Sequence, residues 1–305
     1  MKLIESHAPH IRTGQTTRRM MLSVILSLVP CIISAIWYFG AAAAVNIAVS
    51  VLSAVAAEAL WQKFTHQKST IGDFSAVVTG LLLALSVTPA APWWIFIVGS
   101  AFAIIVVKQL FGGLGDNFLN PALAARAMLL ASWPAYLTRN IGIDGVSAAT
   151  PLVTGAASVR ELFLGACPGA AGETSALAIL IGLILLCATG TVLPHIPVIT
   201  AAAAALTGWL LGMEPLKVIL SGGLLFGAVF MATDYATSPM KISAQCVYAV
   251  GIGVITVLLR KFSVFPEGVT YAILIMNIAS PLLDQWMPER VYGYPRRQEE
   301  GGQPS

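Results

Sequence analysis

The run MMLSVILSLVPCIISAIWYF extends from Met20 to Phe39, and after Gly40 and Ala41 a second run, AAAVNIAVSVLSAVAAEALW, extends from Ala42 to Trp61. Each has the roughly 20 apolar residues needed to cross a hydrocarbon core about 30 Å thick. The first is longer than the apolar core of a signal peptide, about 7–15 residues, and no clear cleavage site separates it from the second. It reads as a retained membrane span followed directly by another. The same texture continues through the chain. Of 305 residues, 57% are hydrophobic and only 10% are charged, against about 25% charged in a soluble domain. That leaves too few charges to cover a water-facing surface. A soluble globular protein, a disordered chain and a nucleic-acid binder are excluded on this ground.

Working outward, the apolar segments are 20–39, 42–61, 76–88, 93–110, 121–133, 175–193, 195–211, 216–233, 242–259 and 269–286. The expected fold is an all-α polytopic membrane protein of about ten transmembrane helices, one integral membrane domain over 1–305. Segments 76–88 and 121–133 are short for a full span. Such elements are tolerated where irregular backbone is buried in protein or lines a cavity, so they point to a site. With the N-terminus inside, Arg139, Arg160, Lys217, Arg260 and Lys261 fall outside, and the other twelve of the seventeen Lys and Arg fall inside. This asymmetry sets both termini in the cytoplasm, with 1–19 as an N-terminal segment and 287–305 as a tail. Residues 134–174 then form a long outer loop near the chain midpoint. It divides five spans from five, which predicts two halves of inverted topology. Gly80-Leu-Leu-Leu-Ala-Leu and Gly223-Leu-Leu-Phe-Gly-Ala are a faint echo of such a repeat. Trp93, Trp94, Trp133 and Trp286 suit the membrane interfaces.

The cysteines, Cys31, Cys167, Cys187 and Cys246, are scattered, and the histidines form no close pair within a span. A zinc site, an iron–sulfur cluster held by this chain alone, or haem ligation is therefore not indicated. The polar positions carry the chemistry. In the outer loop, Asp144-Gly145-Val146-Ser147-Ala148-Ala149-Thr150-Pro151 reads by residue type as a turn. On the inner side, Gly112-Gly113-Leu114-Gly115-Asp116-Asn117-Phe118-Leu119-Asn120-Pro121 has no preceding strand, so it is not a dinucleotide-binding loop. It reads as a tight loop before a short helix, with Pro121 in the first turn. Asn117 and Asn120 either cap that helix or hydrogen-bond a polar ring system at the membrane edge. Arg126, deeper in the same segment, needs a carboxylate, carbonyl or anionic ligand, because an unpaired intramembrane arginine costs about 2.5–3.5 kcal/mol. Asp234, in Met231-Ala232-Thr233-Asp234, either pairs locally or contacts a ligand. Lys108 is expected to snorkel to the interface. Glu58 and Asp284 are candidates for an ion pathway, since buried acids mark such routes.

These motifs, in this order, resemble the family shared by the D-type membrane subunit of the bacterial Rnf electron transport complex and the B-type membrane subunit of the sodium-translocating NADH:quinone reductase. The chain lacks the long N-terminal extension of the quinone-reductase member, which favours the Rnf branch. The resemblance covers essentially the whole chain. It implies a urea-transporter-like fold of two inverted five-helix halves in the bacterial inner membrane. It also implies an FMN joined by a phosphoester to Thr150, within an attachment motif in which Asp144, Gly145 and Ser147 match and Ala148 replaces the usual glycine. A second, non-covalent flavin, riboflavin, is implied near the inner face, with Asn117, Asn120 and Asp234 at the matching positions. The implied function is electron transfer between these flavins, inside an ion-translocating NAD:ferredoxin oxidoreductase complex that moves Na⁺ or H⁺. No complete activity is expected of the chain alone and no catalytic residue or metal is implied. The implied partners are other subunits of the complex, including a covalent-FMN subunit on the outer face, together with the lipid bilayer and a flavin transferase for maturation; no nucleic acid is involved. The alternative from the residues alone is a stand-alone channel or secondary transporter for a small polar solute, to which inverted halves and broken spans are equally suited.

Overall fold

The computed structural model describes residues 16–139, 158–263 and 268–287. Every regular element among them is helical. Helix α1 (Thr17–Phe64) opens with the Thr16 hydroxyl accepting from Arg19 N–H at 3.3 Å. It holds both opening apolar runs. They are joined by Gly40 alone, at φ 65° and ψ −147°, a region only glycine enters freely. The helix is therefore two arms that meet at one residue.

Helix α2 (Ser75–Ser86) follows a short 3₁₀ turn and the left-handed Phe74, φ 65°. Asp73 fixes its start by accepting from the Ser75 N–H at 2.8 Å and the Ser75 hydroxyl at 2.6 Å. Helix α3 (Trp93–Ala101) runs on without interruption as a π-helical stretch, Phe102–Gln109. Then come α4 (Pro121–Ser132), α5 (Pro134–Leu137), α6 (Val159–Leu164), α7 (Ala176–Ala188) and α8 (His195–Leu210). Helix α9 (Pro215–Leu220) and helix α10 (Leu224–Phe226, continued as π-helical Gly227–Met231) precede the long α11 (Ile242–Phe262) and α12 (Val269–Trp286).

Among the described residues, Thr17–Phe64 and Ile242–Phe262 are both long and apolar enough to cross a membrane, and five shorter apolar helices accompany them. Two expected segments are cut. Segment 216–233 is not one helix, because Gly222 and Gly223 turn left-handed at φ 64° and 69°. Segment 175–193 stops at Ala188, just before the left-handed Gly190 at φ 67°. Hydropathy is blind to such breaks, since glycine within an apolar run does not lower it enough to register.

Small residues let the helices approach closely, as in membrane packing. A Cβ on Gly80 of α2 would lie 2.9 Å from Val51 Cα, so α2 rests on the second arm of α1. A Cβ on Gly182 of α7 would lie 2.5 Å from Ser27 O in the first arm. A Cβ on Gly253 of α11 would lie 2.6 Å from Thr200 O in α8. Hydroxyls tie helices together in the same way. Ser100 donates to Ser50 O at 3.0 Å, and Thr200 donates to Ala249 O at 3.2 Å.

Helix α2 also gives the molecule two ends. At its far end the Thr88 hydroxyl donates to Arg139 O at 3.0 Å, and Gly172 N–H donates to Leu85 O at 2.8 Å. The described flanks of the long loop thus gather at the C-terminal end of α2. Its twelve residues separate that end from Ser75 by about 18 Å at 1.5 Å per residue.

Candidate functional site

A cavity of about 880 Å³, its open mouth included, lies at the N-terminal end of α2. Its walls come from parts far apart in sequence: Met21 and Val24 of α1, Leu82 of α2, Leu186 of α7 and Phe230 of α10. Asn117, Asn120 and Asp234, which lie in two separate stretches of the sequence, line this one space. Asn120 caps α4, its Oδ1 accepting from Ala122 N–H at 3.1 Å and Leu123 N–H at 3.3 Å. Its amide Nδ2 donates across to Met231 O at 3.4 Å and Asp234 Oδ2 at 3.5 Å. These are long contacts, weaker than a normal hydrogen bond. Asn117 is 3% exposed and ties its own loop, donating to Leu119 O at 3.0 Å. Asn120 therefore both caps its helix and lines the cavity. Burial raises the Asp234 carboxyl above the ordinary carboxylate range, against opposing hydrogen bonds from Ala236 N–H and the Thr237 hydroxyl. The set offers amide donors, an acid and apolar walls, the usual make-up of a small-molecule site.

Beside the cavity is a buried ion pair. Lys108, on the π-helical stretch after α3, does not snorkel. It is 1% exposed, and its ammonium donates to Glu58 Oε1 at 2.7 Å and to Ser75 Oγ at 2.6 Å. The expectation of an interfacial lysine is corrected: the π-helical stretch turns Lys108 toward α1, where it meets a fully buried carboxylate. Glu58 Oε1 also accepts from Gln109 Nε2 at 2.9 Å, the Thr70 hydroxyl at 3.2 Å and Gln62 Nε2 at 3.4 Å. Its second oxygen, Oε2, is buried with no hydrogen-bond partner among the described residues. Gln62, Thr70, Asp73 and Gln109 line a second, polar cleft next to the first cavity.

Arg126 has the carboxylate its burial demanded. Its Nη1 lies 2.6 Å from Glu173 Oε1, at the end of the long loop. Glu173 in turn fills the space beside the left-handed Gly223, where a Cβ would collide with its carboxylate. This contact links α4 to the break before α10, and nothing local in the sequence marks Glu173 for it. Asp284 accepts from the Met240 N–H at 3.0 Å and the Lys241 N–H at 3.2 Å, and Lys241 Nζ donates to Asp284 O. It holds the turn before α11. The attachment motif, Asp144, Gly145, Ser147 and Thr150, lies outside the described residues.

The model of the NQR2, RnfD, RnfE family matches residues 4–293. The chain is 46% identical to the D-type subunit of the Na(+)-translocating ferredoxin:NAD(+) oxidoreductase complex of Acetobacterium woodii, over 98% of each chain. It is 35% identical to the D-type subunit of the ion-translocating oxidoreductase complex of Cronobacter sakazakii, over 94% of this chain and 98% of that one. It is 34% identical to the protein of the same description in Escherichia fergusonii, over 94% and 97%. With a family match across nearly the whole length and relatives at these identities, the chain belongs to the NQR2, RnfD, RnfE family, alongside its D-type members.

Proposed function

We propose that this chain is a membrane flavoprotein subunit of an ion-translocating electron transport complex, carrying electrons between a covalent FMN on Thr150 and a second flavin, riboflavin, in the inner cavity. The observation that carries the reading is the convergence of Asn117, Asn120 and Asp234 on one cavity. Flavins would supply the electron transfer, and the chain supplies burial, spacing and hydrogen bonds. The long contacts of the Asn120 amide leave it able to donate to a ligand. Asn117 and Asp234 add a second amide and an acid to the lining, and Val24, Leu186 and Phe230 would give a bound ring system apolar walls. The described flanks of residues 134–174 sit at the other end of α2. That arrangement agrees with flavins on opposite faces.

The same reading includes ten spans in two inverted halves. Support comes from a repeated device. Each half has a left-handed residue before a short helix, Phe74 before α2 and Gly223 before α10. In each half a cation at the end of a later helix reaches that break: Lys108 to Ser75, and Arg260 to Ser221 O at 2.8 Å and Gly222 O at 3.0 Å. This correspondence aligns Phe74 with Gly223. The faint sequence echo, which aligns Gly80 with Gly223, is out of register, since Gly80 lies inside α2. Both termini would be cytoplasmic in the bacterial inner membrane. The partners would be the other Rnf-type subunits, among them an outer covalent-FMN subunit, with a flavin transferase for maturation. The name of the Acetobacterium woodii relative supports ferredoxin and NAD as the redox partners of the complex and Na⁺ as the ion, with H⁺ the alternative. Glu58 is the stronger ion-pathway candidate, because one of its oxygens is buried and has no partner among the described residues. Asp284 has both oxygens engaged by backbone.

The test is flavin content. Asn120→Ala and Asp234→Ala should each lower the flavin released on denaturation of the purified chain, while flavin retained by the denatured polypeptide is unchanged. Unaltered released flavin in both variants would remove the inner site.

A further inference from the structure

The Glu58–Lys108 pair is the partition between two spaces. Lys108 and Ser75 line the cavity that holds Asn120 and Asp234. On the other side, Gln62, Thr70 and Gln109 line the polar cleft and donate to Glu58 Oε1. Four donors, Lys108 among them, crowd that oxygen, while Oε2 has none among the described residues. Lysine is a compact point charge on a flexible four-carbon stem. Its ammonium already divides its hydrogen bonds between Glu58 and a wall of the cavity, Ser75. The π-helical stretch that carries it is a form of helix found often at functional sites.

We propose that Lys108 is an exchangeable counter-ion: it neutralises Glu58 while the cavity is empty and turns toward a ligand that presents carbonyl or anionic oxygens there, leaving Glu58 to a small monovalent metal cation from the cleft. The inference rests on the inner cavity being a flavin site. Charge balances at Glu58. The ammonium that leaves Glu58 is replaced by one cation at Oε2, while Gln62, Gln109 and Thr70 keep donating to Oε1. The two sites are then linked, and the linkage must be reciprocal in binding free energy. Lys108 acts through Glu58 and the ligand, as a positioning residue.

Two measurements on the purified full-length chain in detergent test this. The first is thermal melting in NaCl against choline chloride at equal ionic strength. Lys108→Met, which leaves Glu58 without its counter-ion, should gain a saturable stabilisation by Na⁺ that the double variant Lys108→Met/Glu58→Gln lacks. Equal response of the single and double variants would overturn the proposal. The second serves also if Lys108→Met does not fold. Riboflavin affinity of the flavin-depleted wild type should rise about five-fold or more with saturating Na⁺, and Glu58→Gln should abolish the rise. Riboflavin binding that ignores Na⁺ would overturn the proposal. Absence of riboflavin binding would instead remove the inner flavin site, and the melting result would then decide for or against a cation site at Glu58.

Discussion

At the residue scale, the costly charges are the informative ones. Arg126 and Glu173 are 4% and 8% exposed and face each other at 2.6 Å. Removing one member of a buried pair leaves an uncompensated charge and costs about 3–5 kcal/mol, whereas replacing both by apolar residues is often neutral. Arg126→Met should therefore lower the melting temperature in detergent sharply, and Arg126→Met/Glu173→Leu should recover most of the loss. A double variant no better than the single would show that the pair is not the source. Cys167 offers a titration test. Burial, followed by the charge of Glu161, pushes its thiol from 9.0 up to about 11. The folded state thus keeps a proton that the unfolded chain gives up near 9.0. Stability from this group is fully present below that value and is lost as pH rises toward 11. Melting temperature measured across that window should fall less steeply in Cys167→Ala than in the wild type. The need of Arg126 for a partner is legible in sequence, because desolvation of a charge is a general cost. Its partner is not, because Glu173 is one of three acids in the long loop and lies 47 positions away. Lys108 misleads for a related reason. Side-chain length alone favours snorkelling, and the turn of the π-helical stretch that points it inward leaves no mark in hydropathy.

At the scale of elements, glycine decides where helices bend and how closely they pack. The Gly40 conformation falls in a region that costs other residues about 1–3 kcal/mol. Gly40→Ala should lower the melting temperature accordingly, although a Cβ there meets nothing within 4 Å. A wild-type melting curve for that variant would mean that the joint between the two arms is not strained. Gly182 differs in that space is the constraint: a Cβ there would lie 2.5 Å from Ser27 O and 2.6 Å from Phe230 Cζ. Gly182→Val should cost about 1–3 kcal/mol through overpacking. Because Phe230 lines the inner cavity, the variant should also release less flavin on denaturation. The long apolar runs predict α1 and α11 well. Segment 216–233 reads as one span because it is predominantly apolar, with Lys217 near its start, and the paired left-handed Gly222 and Gly223 divide it into α9 and α10.

At the scale of the whole molecule, α2 connects the two ends that the proposed function requires. One end meets the cavity and the Glu58–Lys108 pair, and the other meets the described flanks of the long loop. The membrane class follows from composition, since charge count reflects the solvent a surface faces. Convergence of Asn117, Asn120 and Asp234 is implied by the family resemblance, but the residues alone give only a shared side of the membrane, because three-dimensional proximity between segments over a hundred residues apart has no local signature. The central claim is that the chain carries two flavins held differently at its two ends. It is tested most directly by co-expressing the chain with a flavin transferase, denaturing it and separating polypeptide from released cofactor. The expected result is a fluorescent polypeptide band that Thr150→Ala abolishes, with a second flavin in the released fraction that Thr150→Ala retains. A colourless wild-type band with no released flavin would contradict the account.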